Sequence, residues 1–182
     1  MAPKKTQEKG KASGAADQVE TGGWRASKCY DFHLLGLVEE NLLQPREVVN
    51  WRKSLGDSVP HEEPNETVIF HSHVLRGLRI PTSDFFHGLL HHWGIQAHNL
   101  TPNSILRISI FVHLCETFLG IEPHFDLFQY LFHLKPQPSD TIIDVVGGAG
   151  LQLHQGVGPK YISYKMTDKV IDWKDLWFYV EN

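Results

Sequence analysis

Residues 80–134, IPTSDFFHGLLHHWGIQAHNLTPNSILRISIFVHLCETFLGIEPHFDLFQYLFHL, hold the most regular pattern in the chain and decide its fold. Three helices follow from this stretch, each with its own punctuation. Thr82 or Ser83 caps the first, at about 82–93, in which Phe85, Phe86, Leu89, Leu90 and Trp93 share one face and Gly94 ends the run. Thr101 caps the second, at about 102–119, with Pro102 at its first position and Gly120 just past its end. On that helix Ile105, Ile108, Phe111, Val112, Cys115, Phe118 and Leu119 cover most of the circumference, and Ser109, His113, Glu116 and Thr117 share a narrow polar stripe. A helix apolar nearly all round belongs in the middle of a core. Pro123 opens the third, at about 123–134, with Phe125, Leu127, Phe128, Leu131 and Phe132 on one side and Asp126, Gln129 and His133 on the other. Short connectors make the three packing neighbours.

Working outward, Phe32, Leu34, Leu35, Val38 and Leu42 fall mostly on one side of a helix within residues 30–43. Pro45 suits the first turn of another short helix, which carries Val48, Val49 and Trp51 toward Leu55. Residues 60–65 read as a loop, residues 67–70 as a short strand, and residues 74–78 as helix or turn. On the other side, residues 151–153, 161–164 and 177–180 have strand character, with Gly156, Gly158 and Pro159 turning between the first two. The helices of 80–134 need these flanks. Burying a large apolar side chain gives about 1.5–3 kcal/mol, against a backbone ordering cost of about 1–2 kcal/mol per residue. The expected class is α+β, predominantly α-helical: a helical core with a small C-terminal antiparallel β element at about 150–180. Residues 24–182 form one helix-rich domain, and residues 1–23, with almost no large apolar side chain, form a disordered basic tail.

The chain has 182 residues, 41% of them hydrophobic, which is enough for one globular core. Seventeen Lys and Arg against 21 Asp and Glu give a net charge of -4, so the body offers no general attraction to phosphate backbones or anionic membranes. Lys4, Lys5, Lys9 and Lys11 make the tail the one place where nucleic acid can be held electrostatically. Cys29 and Cys115 are too few for a zinc site or a disulfide framework and read as free thiols. The most apolar run, residues 105–121, is interrupted by Arg107, His113 and Glu116, unlike a membrane span. The expected location is intracellular, in nucleus or cytoplasm, where the glycosylation-like triplets at Asn65 and Asn99 are idle.

Several groups imitate active sites. Residues 142–150, IIDVVGGAG, look like a strand entering a nucleotide-binding glycine turn, since glycine lets a ligand approach the backbone ahead of a helix N-terminus. The residues after Gly150 alternate like a strand, however, so the turn is read as leading into a hairpin. His87 and His91 stand four apart on a helix, and His71 and His73 two apart on a possible strand. Two histidines make a weak metal site, and both pairs are read as solvated flanks. His113 and Glu116 share a helix face but have no assignable nucleophile or oxyanion donor. Trp173, Trp177, Phe178 and Tyr179 lack interleaved arginines and are expected to pack on the helices rather than on bases. HExxH, GxSxG and P-loop motifs are absent. No catalytic, cofactor-binding or metal residue is assigned, no cofactor is expected, and the chain is not expected to be an enzyme.

Longer strings carry a resemblance. Arg76-Gly77-Leu78 with Pro81 and Phe85-Phe86, the run from His98 through Leu106, and Phe111-Val112-His113-Leu114-Cys115-Glu116 are similar to the gypsy-type transposon domain found in many proteins of grass genomes. So are Phe118 through Phe125, Tyr130-Leu131-Phe132, Gly147 through Gly150 with Gln152-Leu153, and Trp177-Phe178-Tyr179-Val180. The resemblance runs over about 48–182. It implies a plant chain descended from the non-polymerase part of a retrotransposon and a fragment of a longer protein. The family is sometimes labelled transposase without established catalytic residues. Zinc-knuckle, DTG or DSG protease and YxDD polymerase motifs are absent here. The expected function is a non-catalytic structural or protein-interaction domain, self-associating or binding other element-encoded proteins. The alternative is a nucleic-acid-associated protein using its basic tail.

Overall fold

The computed structural model describes residues 22–137, 144–158, 161–162 and 170–181. The first helix, α1, is Asp31–Glu39. Strand β1 (Trp51–Lys53) and strand β2 (Glu66–Phe70) follow, and β2 runs directly into the short helix α2 (His71–Leu75). Helix α3 is Asp84–Trp93, with the Ser83 hydroxyl accepting from the Phe86 N–H at 3.3 Å and Gly94 left-handed at φ 61° past its end. Helix α4 is Pro102–His113, capped by Thr101, whose side chain accepts from the Ser104 N–H at 3.2 Å. Each cap satisfies an N–H that has no partner inside its own helix. Helix α5 is Phe125–Leu131 and continues without a turn into strand β3 (Phe132–Pro136). Strands β4 (Ala149–Leu153) and β5 (Trp177–Glu181) complete the described elements of the two sheets.

The C-terminal strand lies in the middle of a three-stranded antiparallel sheet ordered β1-β5-β2. Its side chains alternate between two cores, as the period of a strand requires. Phe178 and Val180, with Ile69 and Trp51, face the helices. Trp177 and Tyr179, with Val68 and Phe70, face a smaller aromatic core closed by Val146, Trp24 and Trp173. On β1, Arg52 lies 3.7 Å above the Tyr179 ring and makes a two-pronged hydrogen bond to Glu66 at 2.7 and 2.6 Å. Buried Ser27 and Ser54 both donate to the Trp177 carbonyl, anchoring the start of β5.

The second sheet pairs β3 with β4, with Phe132 opposite Leu153 and Leu134 opposite Leu151. Ser104 fastens it to α4, donating to the Ala149 carbonyl at 3.1 Å and accepting from the Leu151 N–H at 3.0 Å. An aromatic chain ties the helices together: Phe111 and Phe128 stand 5.0 Å apart edge to face, Phe85 stacks on Phe111 at 5.6 Å, and Phe128 continues to Phe132 at 4.9 Å.

This architecture corrects the expected one. With five helices and two small sheets among the described residues, the fold is mixed α/β rather than predominantly helical. Among the described residues the expected C-terminal β element is split, because β4 pairs with β3 and β5 pairs with two strands from the first half of the chain. The third helix stops at Leu131, since Phe132, Leu134 and their neighbours take up strand pairing with β4. The apolar run there fits either period, and the partner strand decides. The helix expected after Pro45 is a turn followed by β1, drawn into extension by pairing with β5. Tyr161 and Ile162 are in no strand, and residues 163–164 of the expected strand lie outside the described residues. So does most of the expected tail, residues 1–21.

Candidate functional site

The largest unexpected feature is the second half of the central helix. At Leu114 α4 passes into a π-helical turn, Leu114–Leu119, closed by left-handed Gly120 at φ 64°. Had the α-helix continued, Phe118 would stand seven residues from Phe111, two turns along on the same core face. A π-turn takes one more residue per turn. The register slips by one residue, about 100° of rotation. Phe111 and Cys115 are fully buried, whereas Phe118 is 73% exposed and Leu119 53% exposed. Both had been expected in the core. π-turns are concentrated at functional sites.

Beside this turn runs an apolar groove of about 590 Å³ between α2 and α4. Leu75 of α2 and Leu106 and Ile110 of α4 line it, together with Leu114, Phe118 and Ile162. Arg76 and His113 are the ionisable groups in this lining, which contains no carboxylate among the described residues. Gly77 makes the wall possible. Its backbone is left-handed at φ 91°, and a Cβ there would meet the Ser109 side chain at 3.0 Å, so the chain after α2 can lie against α4 only without a side chain. A more polar cleft continues on the other side of Ser109 and His113, reaching Arg79, Ser83 and Glu116.

The groups expected to mimic active sites are dispersed. His87 and His91 are exposed on α3, with His87 against the Thr82 hydroxyl at 2.6 Å. His113 hydrogen-bonds Thr117 at 3.1 Å. Among the described residues no group of three or more His, Cys, Asp or Glu is arranged to hold a metal. Gly147 and Gly148 turn directly into strand β4, with Gly147 at φ 69° and a Cβ there only 2.6 Å from the Trp173 ring. Ile142 and Ile143 of that motif lie outside the described residues, as do Lys4, Lys5, Lys9 and Lys11. Trp177, Phe178 and Tyr179 are fully buried. Asn99 is buried too, accepting from the Gln96 N–H and donating to the Val145 carbonyl.

His73 is the other correction. It is on α2 rather than a strand, and it is completely buried rather than a solvated flank. Its ring lies 5.2 Å from Phe70 and 5.6 Å from Trp173, with neither nitrogen in a hydrogen bond of ordinary geometry. Burial pushes its pKa down to about 3, and the Leu100 carbonyl only partly opposes this. His98, beside Trp24 at 5.1 Å, is also shifted down by burial, with Asp144 opposing. Residues 74–78 were read as helix or turn, and the helix instead begins at His71, which carries His73 off the expected strand.

Residues 68–136 match a family model described as "Putative gypsy type transposon". This stretch is similar to that gypsy-type family. It runs from β2 to the end of β3 and contains α2, α4 and the π-turn, and so nearly all of the groove wall. The gypsy-type match is narrower than the resemblance over 48–182, and the strings at 147–153 and 177–180 lie beyond it. No curated protein and no solved structure matches the chain. Among the described residues no helix is long and apolar enough to cross a membrane.

Proposed function

We propose that this transposon-derived chain works as a non-catalytic protein-interaction module, and that the groove between α2 and α4 receives an apolar helical segment of a partner. The observation that carries this reading is Phe118, which the π-turn directs away from the core and leaves 73% exposed in the lining of an apolar groove. Exposed apolar surface gathered in one concave place marks an interaction site far better than single exposed residues do. A groove with leucine and isoleucine walls suits the apolar face of a helix, read at positions i, i+3 and i+7. On this reading the chain acts in the nucleus or cytoplasm, where buried Cys29 and Cys115 remain thiols.

The test is a pair of titrations on the full chain. One uses a synthetic amphipathic helical peptide with leucine and phenylalanine on one face and glutamate on the other, and the second uses a short DNA duplex. Peptide binding that Phe118→Glu removes supports the module. Salt-dependent duplex binding that disappears when Lys4, Lys5, Lys9 and Lys11 are neutralised, with the peptide ignored, would replace it with a nucleic-acid role.

A further inference from the structure

A second cleft, of about 430 Å³, lies between the first half of α4 and the second sheet. Its chemistry differs from that of the apolar groove. Asn103 and Arg107, one turn apart on α4, line one side, and Gln152 of β4, Gln137 just past the end of β3, and half-buried Trp173 line the rest. Among the described residues this lining contains no carboxylate. Among them, too, Arg107 has neither an ion pair nor a hydrogen bond, and the amide groups of Gln137 and Gln152 have no hydrogen-bond partner. The Oδ1 atom of Asn103 is buried without a partner. A buried acceptor left unpaired, beside a guanidinium with no counter-charge, is a demand that the chain's own folding does not meet.

Two glycines of residues 147–150 shape the walls. A Cβ on Gly150 would collide with the Gln137 amide, and one on Gly147 would collide with the Trp173 ring, so each glycine lets a lining side chain lie close against the backbone. Ser104 fixes the spacing of helix and sheet through its two hydrogen bonds to β4. The walls are set by the fold itself, as in small-molecule sites, which are of this size and largely pre-formed. The lining asks three things of an occupant: an anionic group for Arg107, an N–H donor for Asn103, and a flat ring to lie beside the indole of Trp173. Arginine takes phosphate in a forked, charge-assisted geometry. Side-chain amides pair with the amino edges of bases, and aromatic side chains offer a surface that every base can use. We infer that this cleft binds a nucleoside monophosphate, with its phosphate on Arg107, its exocyclic amino group on Asn103 Oδ1 and its base beside Trp173. The glycine turn then serves a nucleotide by seating two side chains, not by cradling phosphate ahead of a helix.

Titration calorimetry of the full chain with adenosine monophosphate tests this, with adenosine and inorganic phosphate as separate titrants. The nucleotide is expected to bind at least tenfold more tightly than either of its parts. Arg107→Leu and Asn103→Leu should each weaken it at least tenfold with thermal unfolding unchanged, since neither side chain has a partner among the described residues. Arg79→Leu removes an arginine outside this cleft and should leave binding intact. No binding of the nucleotide overturns the inference, as does full binding by the Arg107 and Asn103 variants. Phosphate alone binding as tightly as the nucleotide, or an equal loss in Arg79→Leu, also overturns it by reducing the effect to charge. The apolar groove shares no lining residue with this cleft, so these outcomes leave the docking reading to its own test.

Discussion

The two halves of the central helix are both rich in apolar residues and differ in how those residues are covered. In the first half Ile105, Ile108 and Phe111 are buried against α3, α5 and the second sheet, and even the polar Ser104 is enclosed and bonded to β4. In the second half one π-turn rotates Phe118 and Leu119 into the open beside a groove. Composition does not separate them. What separates them is whether the chain itself provides a partner, and the π-turn, while keeping Cys115 buried, withdraws Phe118 and Leu119 from the core.

Cutting the molecule down to the family-matched stretch should erase the contrast most completely. Residues 68–136 contain the last three residues of β2 without β5, and β3 without β4, so Ile69, Phe70 and Phe132 would lose the strands that cover them. The isolated stretch is expected to show no cooperative thermal transition, and a sharp transition in calorimetry would mean that the groove side is more self-sufficient than the packing implies. Within the whole chain, Phe111→Ala should cost about 3–5 kcal/mol in urea unfolding, the usual penalty for emptying a buried phenylalanine site. A loss below 1 kcal/mol would remove the distinction from the core side.

The small aromatic core offers a pH-dependent version of the same comparison. His73 is held neutral by burial, with its pKa lowered from 6.5 to about 3. The unfolded chain takes up a proton as pH falls below 6.5 and the folded chain does not, so stability is full above 6.5 and declines toward pH 3. The decline from this one group is on the order of 4 kcal/mol. Urea unfolding above pH 6.5 and well below it should show this slope. His73→Phe should reduce it, leaving the smaller contributions of His71, His98 and His133, which burial also shifts down. An unchanged slope in His73→Phe would show that protonation acts elsewhere.

The helices of residues 80–134 were legible because their ends carry local chemistry: Ser83, Gly94, Thr101 with Pro102, and Gly120 all stand where caps and terminators were expected. The sheets were less so. β5 finds its partners more than a hundred residues away, and no local pattern in Trp177–Glu181 reports that it will lie between β1 and β2. On α1 the apolar residues occupy two faces, and periodicity assigned Phe32 and Leu35 to the core when Leu34 and Leu37 hold it. The groove was hidden for the same reason. Phe118 continues the heptad from Phe111, and only the π-turn, which depends on backbone geometry rather than residue type, moves it outward. His113 was correctly placed on a polar stripe, but its position at the groove edge needed α2 and Gly77.

On the proposed function Phe118 serves a partner rather than the core. Phe118→Ser measured for urea unfolding and for binding of the amphipathic helical peptide, on the same preparation, tests it most directly. The expected result is a stability within about 0.5 kcal/mol of the parent chain, together with binding weakened at least about tenfold, or 1.4 kcal/mol. Lost stability with undiminished binding would contradict it.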